Sequence, residues 1–160
     1  AHRGAPRHAP ENTLSAFAAA KRLGATWVEA DVLPSLDDEL VIFHDNELER
    51  CTSMKGRVKD VDSADLFSLD AGSHFSKEWK DARIPSLGEL LEFCRDSHLG
   101  VNLEIKHAND DELAIPNEEE IAFEKSLAAA TCDMVLKYEC DPTQVFFSSY
   151  SYHALEVCKE

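Results

Sequence analysis

Trp27-Val28-Glu29-Ala30-Asp31-Val32 is the stretch from which the rest of this chain is read. It alternates in character, with Gly24 before it and Pro34 after it, so it reads as a β-strand. Side chains on a strand repeat every two residues, which puts Trp27, Glu29 and Asp31 on one face and Val28, Ala30 and Val32 on the other. Two carboxylates side by side repel each other and lose hydration unless a cation compensates. A hard divalent metal, which takes oxygen ligands, is one such compensator. The plainer alternative is an acidic face turned to water.

Upstream, residues 1–11 form a loop rich in Gly, Pro, His and Arg that follows the end of a strand. Asn12 or Thr13 caps a helix with the apolar stripe Leu14, Phe17 and Ala18, closed at Leu23 with Gly24 beyond it. Downstream, the strand at 26–33 turns through Pro34 to Glu39 into a short strand, Leu40 to Phe43, that runs into His44-Asp45. About six residues are too few for a parallel crossover, so the pair is an antiparallel hairpin. With the turn near Asp37, residues 31 and 43 lie opposite each other and His44 returns to Glu29 and Asp31.

Residues 45–85 read as irregular apart from a short helix at Ser63 to Leu69. Ser86 caps a helix carrying Leu87, Leu90, Leu91, Phe93 and Cys94 and closing near Gly100. The strand Val101 to Lys106 turns Val101, Leu103 and Ile105 one way and Asn102, Glu104 and Lys106 the other. A polar loop at 107–118, a helix at 118–131 with Ile121, Phe123, Leu127 and Ala128, a strand at 144–149 and a helix from Tyr152 to Cys158 complete the chain. This alternation describes an α/β fold with a parallel sheet, and polar residues near the strands' C-terminal ends resemble a barrel mouth. Counting His2 as the end of a first strand gives about four barrel strands, whereas a closed barrel has eight in ~250 residues. The expectation is half a barrel.

The 160 residues suit one domain. No apolar run reaches the ~18 residues of a membrane span and no signal-peptide pattern opens the chain. It begins Ala1-His2-Arg3-Gly4 without an initiator Met, and we expect a segment of something longer. Five cysteines with no C-x-x-C pair point to reduced thiols in a cytoplasm-like compartment rather than disulfides or zinc. A net charge of −15 disfavours nucleic acid and anionic membranes as partners, so an anionic substrate needs local cations.

Such cations are present. His2-Arg3, the Glu29/Asp31/His44 group and Glu104/Lys106 all map to neighbouring strand ends. The three carboxylates suit an open, hard-metal site and the two histidines suit an acid and a base, in either order. Arg3 offers a bidentate fork for phosphate and Lys106 a point charge. Together these groups fit phosphodiester cleavage better than hydride transfer or binding alone.

His2-Arg3-Gly4, Pro10-Glu11-Asn12-Thr13, Val28-Glu29-Ala30-Asp31-Val32, His44-Asp45 with Leu48, Arg50 and Thr52, Ile84-Pro85-Ser86-Leu87 and Leu103-Glu104-Ile105-Lys106 run in one order along the chain. In that order the sequence resembles the glycerophosphodiester phosphodiesterase family. The resemblance implies a TIM-type (β/α) barrel of the phosphatidylinositol phospholipase C-like kind, with residues 1–160 a single, incomplete catalytic domain. It implies His2 and His44 as the acid/base pair, Glu29, Asp31 and Glu104 as ligands of one divalent ion (Mg2+ first, Ca2+ second), and Arg3 and Lys106 as phosphate contacts. The implied reaction is hydrolysis of a small glycerophosphodiester to glycerol 3-phosphate and an alcohol. Lysophospholipase D members share these motifs. Family members continue for about as many strands again, so a catalytically silent metal- or phosphate-binding module is the alternative from another class.

Other candidates read as structural. His8, His74, His98, His107 and His153 are expected at the surface or satisfied, and Glu11 and Asn12 in the helix start and loop. Arg50 is expected to pair with an acidic neighbour and hold the loop after His44. The acidic residues of 109–112 and Glu118 to Glu120 read as solvated, Trp27 and Phe147 as core, and Ser148 and Ser149 as structural.

Overall fold

Thr13, not Asn12, caps the first helix: in extended backbone its hydroxyl accepts the Ala16 amide at 3.2 Å, starting α1 (Leu14–Arg22). Gly24, at φ +90°, ends that turn. The computed structural model describes residues 1–107 and 115–159. Along them follow β1 (Trp27–Pro34), β2 (Leu40–Ile42), α2 (Ser63–Ser68), α3 (Leu87–Ser97), β3 (Gly100–Ile105), α4 (Glu118–Lys137), β4 (Val145–Ser148) and α5 (Tyr152–Val157).

The sheet runs β2-β1-β3-β4 and is mixed. β1 and β2 form the antiparallel hairpin with Val32 opposite Ile42, so Asp31 faces Phe43 and accepts its amide at 3.1 Å. β1–β3 and β3–β4 are parallel, with Asp31 beside Glu104 and Glu104 beside Ser148. His2 bridges Glu29 in parallel on the edge of β1 that β2 also uses. The result is a partial barrel wall.

Helices cover one face of this wall. Val28, Ala30 and Val32 of β1 and Val101, Leu103 and Ile105 of β3 share a core with Phe17, Leu90, Leu91, Leu127 and Ala154 of the helices. Burying each of the larger of these side chains contributes roughly 1.5–3 kcal/mol. The opposite face carries Glu29, Asp31, Asn102 and Glu104. Trp27 belongs to that face and not to the core: it stacks on Phe146 at 5.2 Å between ring centroids. Gly100 does not close α3 but opens β3, and a Cβ there would sit 2.4 Å from the Trp27 ring. His98, at φ +53°, caps α3 instead.

The segment 45–85 is more ordered than its composition implies. Leu33, Val41 and Phe43 from the hairpin meet Leu48, Cys51, Val58, Leu66 and Ile84 in a second core, and short 3₁₀ turns form at Val58–Asp60 and Lys77–Trp79. α4 runs six residues past the expected end, since Met134, Val135 and Tyr138 keep packing on the main core. Its start is as read: Asn117 caps it, in a box with Glu120. The acidic stretch 109–112 lies outside the described residues. All five cysteines are free, and among the described residues no helix is long and apolar enough to cross a membrane.

Candidate active site at the strand ends

Strand periodicity and the register place Glu29, Asp31 and Glu104 side by side on the inner face, one carboxylate oxygen of each lying within 4.8 Å of the others. Asp31 is fully buried. Its Oδ2 accepts the Asn12 side-chain amide at 2.7 Å and lies 3.5 Å from Arg3 Nε, while its Oδ1 faces Lys106 Nζ at 3.5 Å. Lys106 also donates to Glu104 Oε1 at 2.9 Å. Glu29 Oε2 accepts the Arg3 backbone amide at 2.8 Å, and Glu29 Oε1 is buried with no hydrogen-bond partner among the described residues.

Two non-glycine residues hold left-handed backbone here, Arg3 at φ +53° and Asn12 at φ +54°. Each conformation has a visible consequence. It aims the Arg3 amide at Glu29 and lets the Asn12 amide bond to the Arg3 carbonyl at 3.1 Å while its side chain reaches Asp31. Gly4, next in line at φ +84°, lies so close to α1 that a Cβ would meet Ala16 at 2.6 Å.

His2 is exposed, its Nε2 3.9 Å from Glu29 Oε2. His44 returns on the same edge of β1, and its Nδ1 lies 2.5 Å from Asp45 Oδ1. Arg50 grips Asp45 through Nε and Nη2, as expected for a cation holding the loop after His44. Glu11, in the loop as expected, receives both Arg3 and Arg50. Of the two cap candidates Thr13 takes the role, and the contact of Asn12 with Asp31 is one that the sequence does not announce. Once Thr13 is the cap, the asparagine beside it is free to enter the carboxylate cluster, and the Pro10-Glu11-Asn12-Thr13 motif was the only sign of that.

Burial and the charges of Asp31 and Glu104 push the Glu29 carboxyl up to about 7. Burial works to lower the Lys106 ammonium, but the hydrogen bond and charge of Glu104 and the charge of Asp31 outweigh it and raise it, so it stays cationic. Burial opposes ionisation of Asp45, yet hydrogen bonds from Arg50 and His44 hold it at about 2. Three carboxylates with an orphaned, buried Glu29 oxygen and an all-oxygen donor set fit a hard divalent cation.

A pH dependence follows. Folded Glu29 holds its proton more tightly than an unfolded Glu at 4.5, so metal-free stability falls as pH rises from about 4.5 through about 7, by up to about 3 kcal/mol. Thermal melts of the chelated chain between pH 4 and 8 should show this decline. Saturating divalent ion should remove most of it, and a Tm independent of pH in chelator would contradict it.

His107 is buried rather than at the surface, its ring edge-on to Tyr150 and its Nε2 unpaired among the described residues. His8, His74 and His98 are exposed and His153 half-buried, all as structural histidines. Ser149 bonds to the Ile105 carbonyl and caps the Ser151 amide, a structural role.

The sequence profile of the Glycerophosphoryl diester phosphodiesterase family matches residues 2–160. The chain belongs to that family. The glycerophosphodiester phosphodiesterase of Caldanaerobacter subterraneus subsp. tengcongensis is 42% identical over 106 residues, covering 66% of this chain and 44% of that protein. That of Bacillus subtilis is 32% identical over an alignment covering 97% of this chain and 53% of that protein. A phosphodiesterase of Oleispira antarctica, solved in complex with the product sn-glycerol-3-phosphate, superimposes with a TM-score of 0.85 at 36% identity, over 99% of this chain and 60% of that one. This member of the glycerophosphoryl diester phosphodiesterase family thus spans about half the length of the curated relatives it matches. The solved family structures are TIM barrels, of which the chain forms a partial one.

Proposed function

We propose that the protein to which this catalytic domain belongs hydrolyses glycerophosphodiesters to glycerol 3-phosphate and an alcohol, with one divalent ion at Glu29, Asp31 and Glu104. Three carboxylates gathered within 4.8 Å, with His2, Arg3 and Lys106 within 3.9 Å of them, carry this reading. The sn-glycerol-3-phosphate held by the Oleispira antarctica phosphodiesterase supports the substrate class. The ion would polarise a phosphoryl oxygen, and the oxygen set suits Mg2+ first and Ca2+ second.

The chain's own groups have separate tasks. Arg3 and Lys106 steady the phosphate, each already turned toward the cluster. One of His2 and His44 takes the proton from the nucleophile, either water or the substrate's own glycerol hydroxyl, which would give a cyclic phosphate. The other protonates the alcohol oxygen as its bond to phosphorus breaks. Asp45 accepts the His44 Nδ1 proton and leaves Nε2 for that exchange. The parent fold is a closed barrel of the phosphatidylinositol phospholipase C-like kind, and the free cysteines fit a reducing, cytoplasmic setting.

The coverage of only about half of each relative favours a second reading, a silent metal- or phosphate-binding module. An assay of a glycerophosphodiester with the full-length parent and with the 160-residue chain, each with and without EDTA, separates them. Glycerol 3-phosphate released by the parent, lost with EDTA and restored by Mg2+, supports the enzyme. No release from the parent, with divalent-ion binding retained, leaves the binding module.

A further inference from the structure

The guanidinium of Arg50 is engaged along two edges. Nε and Nη2 grip Asp45 at 2.5 and 2.9 Å, while Nη1 and Nη2 grip Glu11 at 3.1 and 2.7 Å. Asp45 lies on His44 Nδ1, and Glu11 Oε1 also accepts Arg3 Nη1 at 3.0 Å. Beyond Arg3 lies Asp31, 3.5 Å from its Nε. One half-exposed side chain therefore joins a histidine from the end of β2 to an arginine in the N-terminal loop, two segments with no sequence proximity.

The loop that carries Arg50 has anchors besides this ion pair. Leu48 and Cys51 sit in the second core, the Leu48 amide bonds to the Gly56 carbonyl, and Thr52 hydroxyl bonds to the Leu48 carbonyl. Exposed ion pairs add little stability. A planar fork with five donors can hold two carboxylates at once along two edges, which a lysine ammonium cannot reproduce.

We propose that Arg50 is a positioning residue that, through one guanidinium, sets the ring of His44 by way of Asp45 and the guanidinium of Arg3 by way of Glu11. This rests on the phosphodiesterase reading, in which those two groups move a proton and hold phosphate. Arg50 aligns both against the same substrate.

The test compares wild type, Arg50→Lys, Arg50→Ala and a control, Arg57→Ala, which removes another loop cation paired only distantly with Glu47. Nitrogen-15 NMR of the His44 ring at alkaline pH, where imidazole is neutral, reads the tautomer without requiring turnover. Wild type and Arg57→Ala should carry the proton on Nδ1, and in both Arg50 variants that form should become the minor one, with Tm nearly unchanged. In kinetics of the full-length parent, Arg50→Lys should lower kcat about 10- to 100-fold and also raise KM, as lost orienting partners do. A wild-type His44 protonated on Nε2, or an Arg50→Lys protein with wild-type tautomer and kinetics, overturns the proposal. Should the tautomer shift as expected in a parent that hydrolyses nothing, the phosphodiesterase reading fails and the positioning role stands.

Discussion

Asp31→Asn in the full-length parent should abolish tight divalent-ion binding and lower kcat/KM for glycerophosphodiester hydrolysis by roughly 10³-fold. Asp31 is the fully buried member of the cluster, with Asn12 on one oxygen and Lys106 facing the other. An asparagine of the same shape keeps the packing but removes a charge and turns a donor toward either Asn12 or Lys106. Losing a Lewis acid worth about 4 kcal/mol corresponds to about three decades in rate. Calorimetric titration with Mg2+ and steady-state assay read the two effects. The same substitution should also lower the Glu29 carboxyl, because the Asp31 charge is one of the causes that hold it up near 7, and carboxyl-carbon NMR of the chelated protein reads that shift. Wild-type Mg2+ affinity in Asp31→Asn would remove this residue from the metal site.

The histidines carry the second large effect. His2→Ala and His44→Ala should each reduce kcat by about 10²- to 10⁴-fold with little change in KM. The double variant should be not much worse than the poorer single one, since in the proposed reaction the two serve one proton-transfer sequence. A substrate whose leaving group needs no protonation, such as a p-nitrophenyl ester, should restore the variant that has lost the acid and not the one that has lost the base. Their surroundings differ: His2 is exposed near Glu29, whereas His44 is partly buried and bonded to Asp45. If neither substitution changes kcat in the full-length parent, proton transfer lies elsewhere.

Much of this geometry was legible from local pattern. Side chains on a strand repeat every two residues, so with the aliphatics packed under the helices Glu29 and Asp31 had to share the other face. A six-residue connection had to make a hairpin, which fixes Asp31 opposite Phe43 and returns His44. Glu104 then follows from the parallel neighbour's own alternation. Less legible were the places where a polar side chain answers to a distant partner. Asn12 and Thr13 both suit a cap by type, and only the structure gives the cap to Thr13 and sends Asn12 to Asp31. His107, which local pattern leaves open between surface and interior, is buried beside Tyr150. The stretch 45–85 looked irregular because its apolar residues follow no period, but they fill a second core under the hairpin.

By itself, then, the sequence determined the strand faces, the hairpin, the helix starts and the identity of the three carboxylates, since each depends on periodicity or on chain length between neighbours. Only the tertiary structure decided that Asn12 steadies Asp31 and that Arg50 ties His44 to Arg3 through Asp45 and Glu11. Those contacts join loops whose paths are set by two separate apolar cores, and no spacing along the chain encodes where such loops meet.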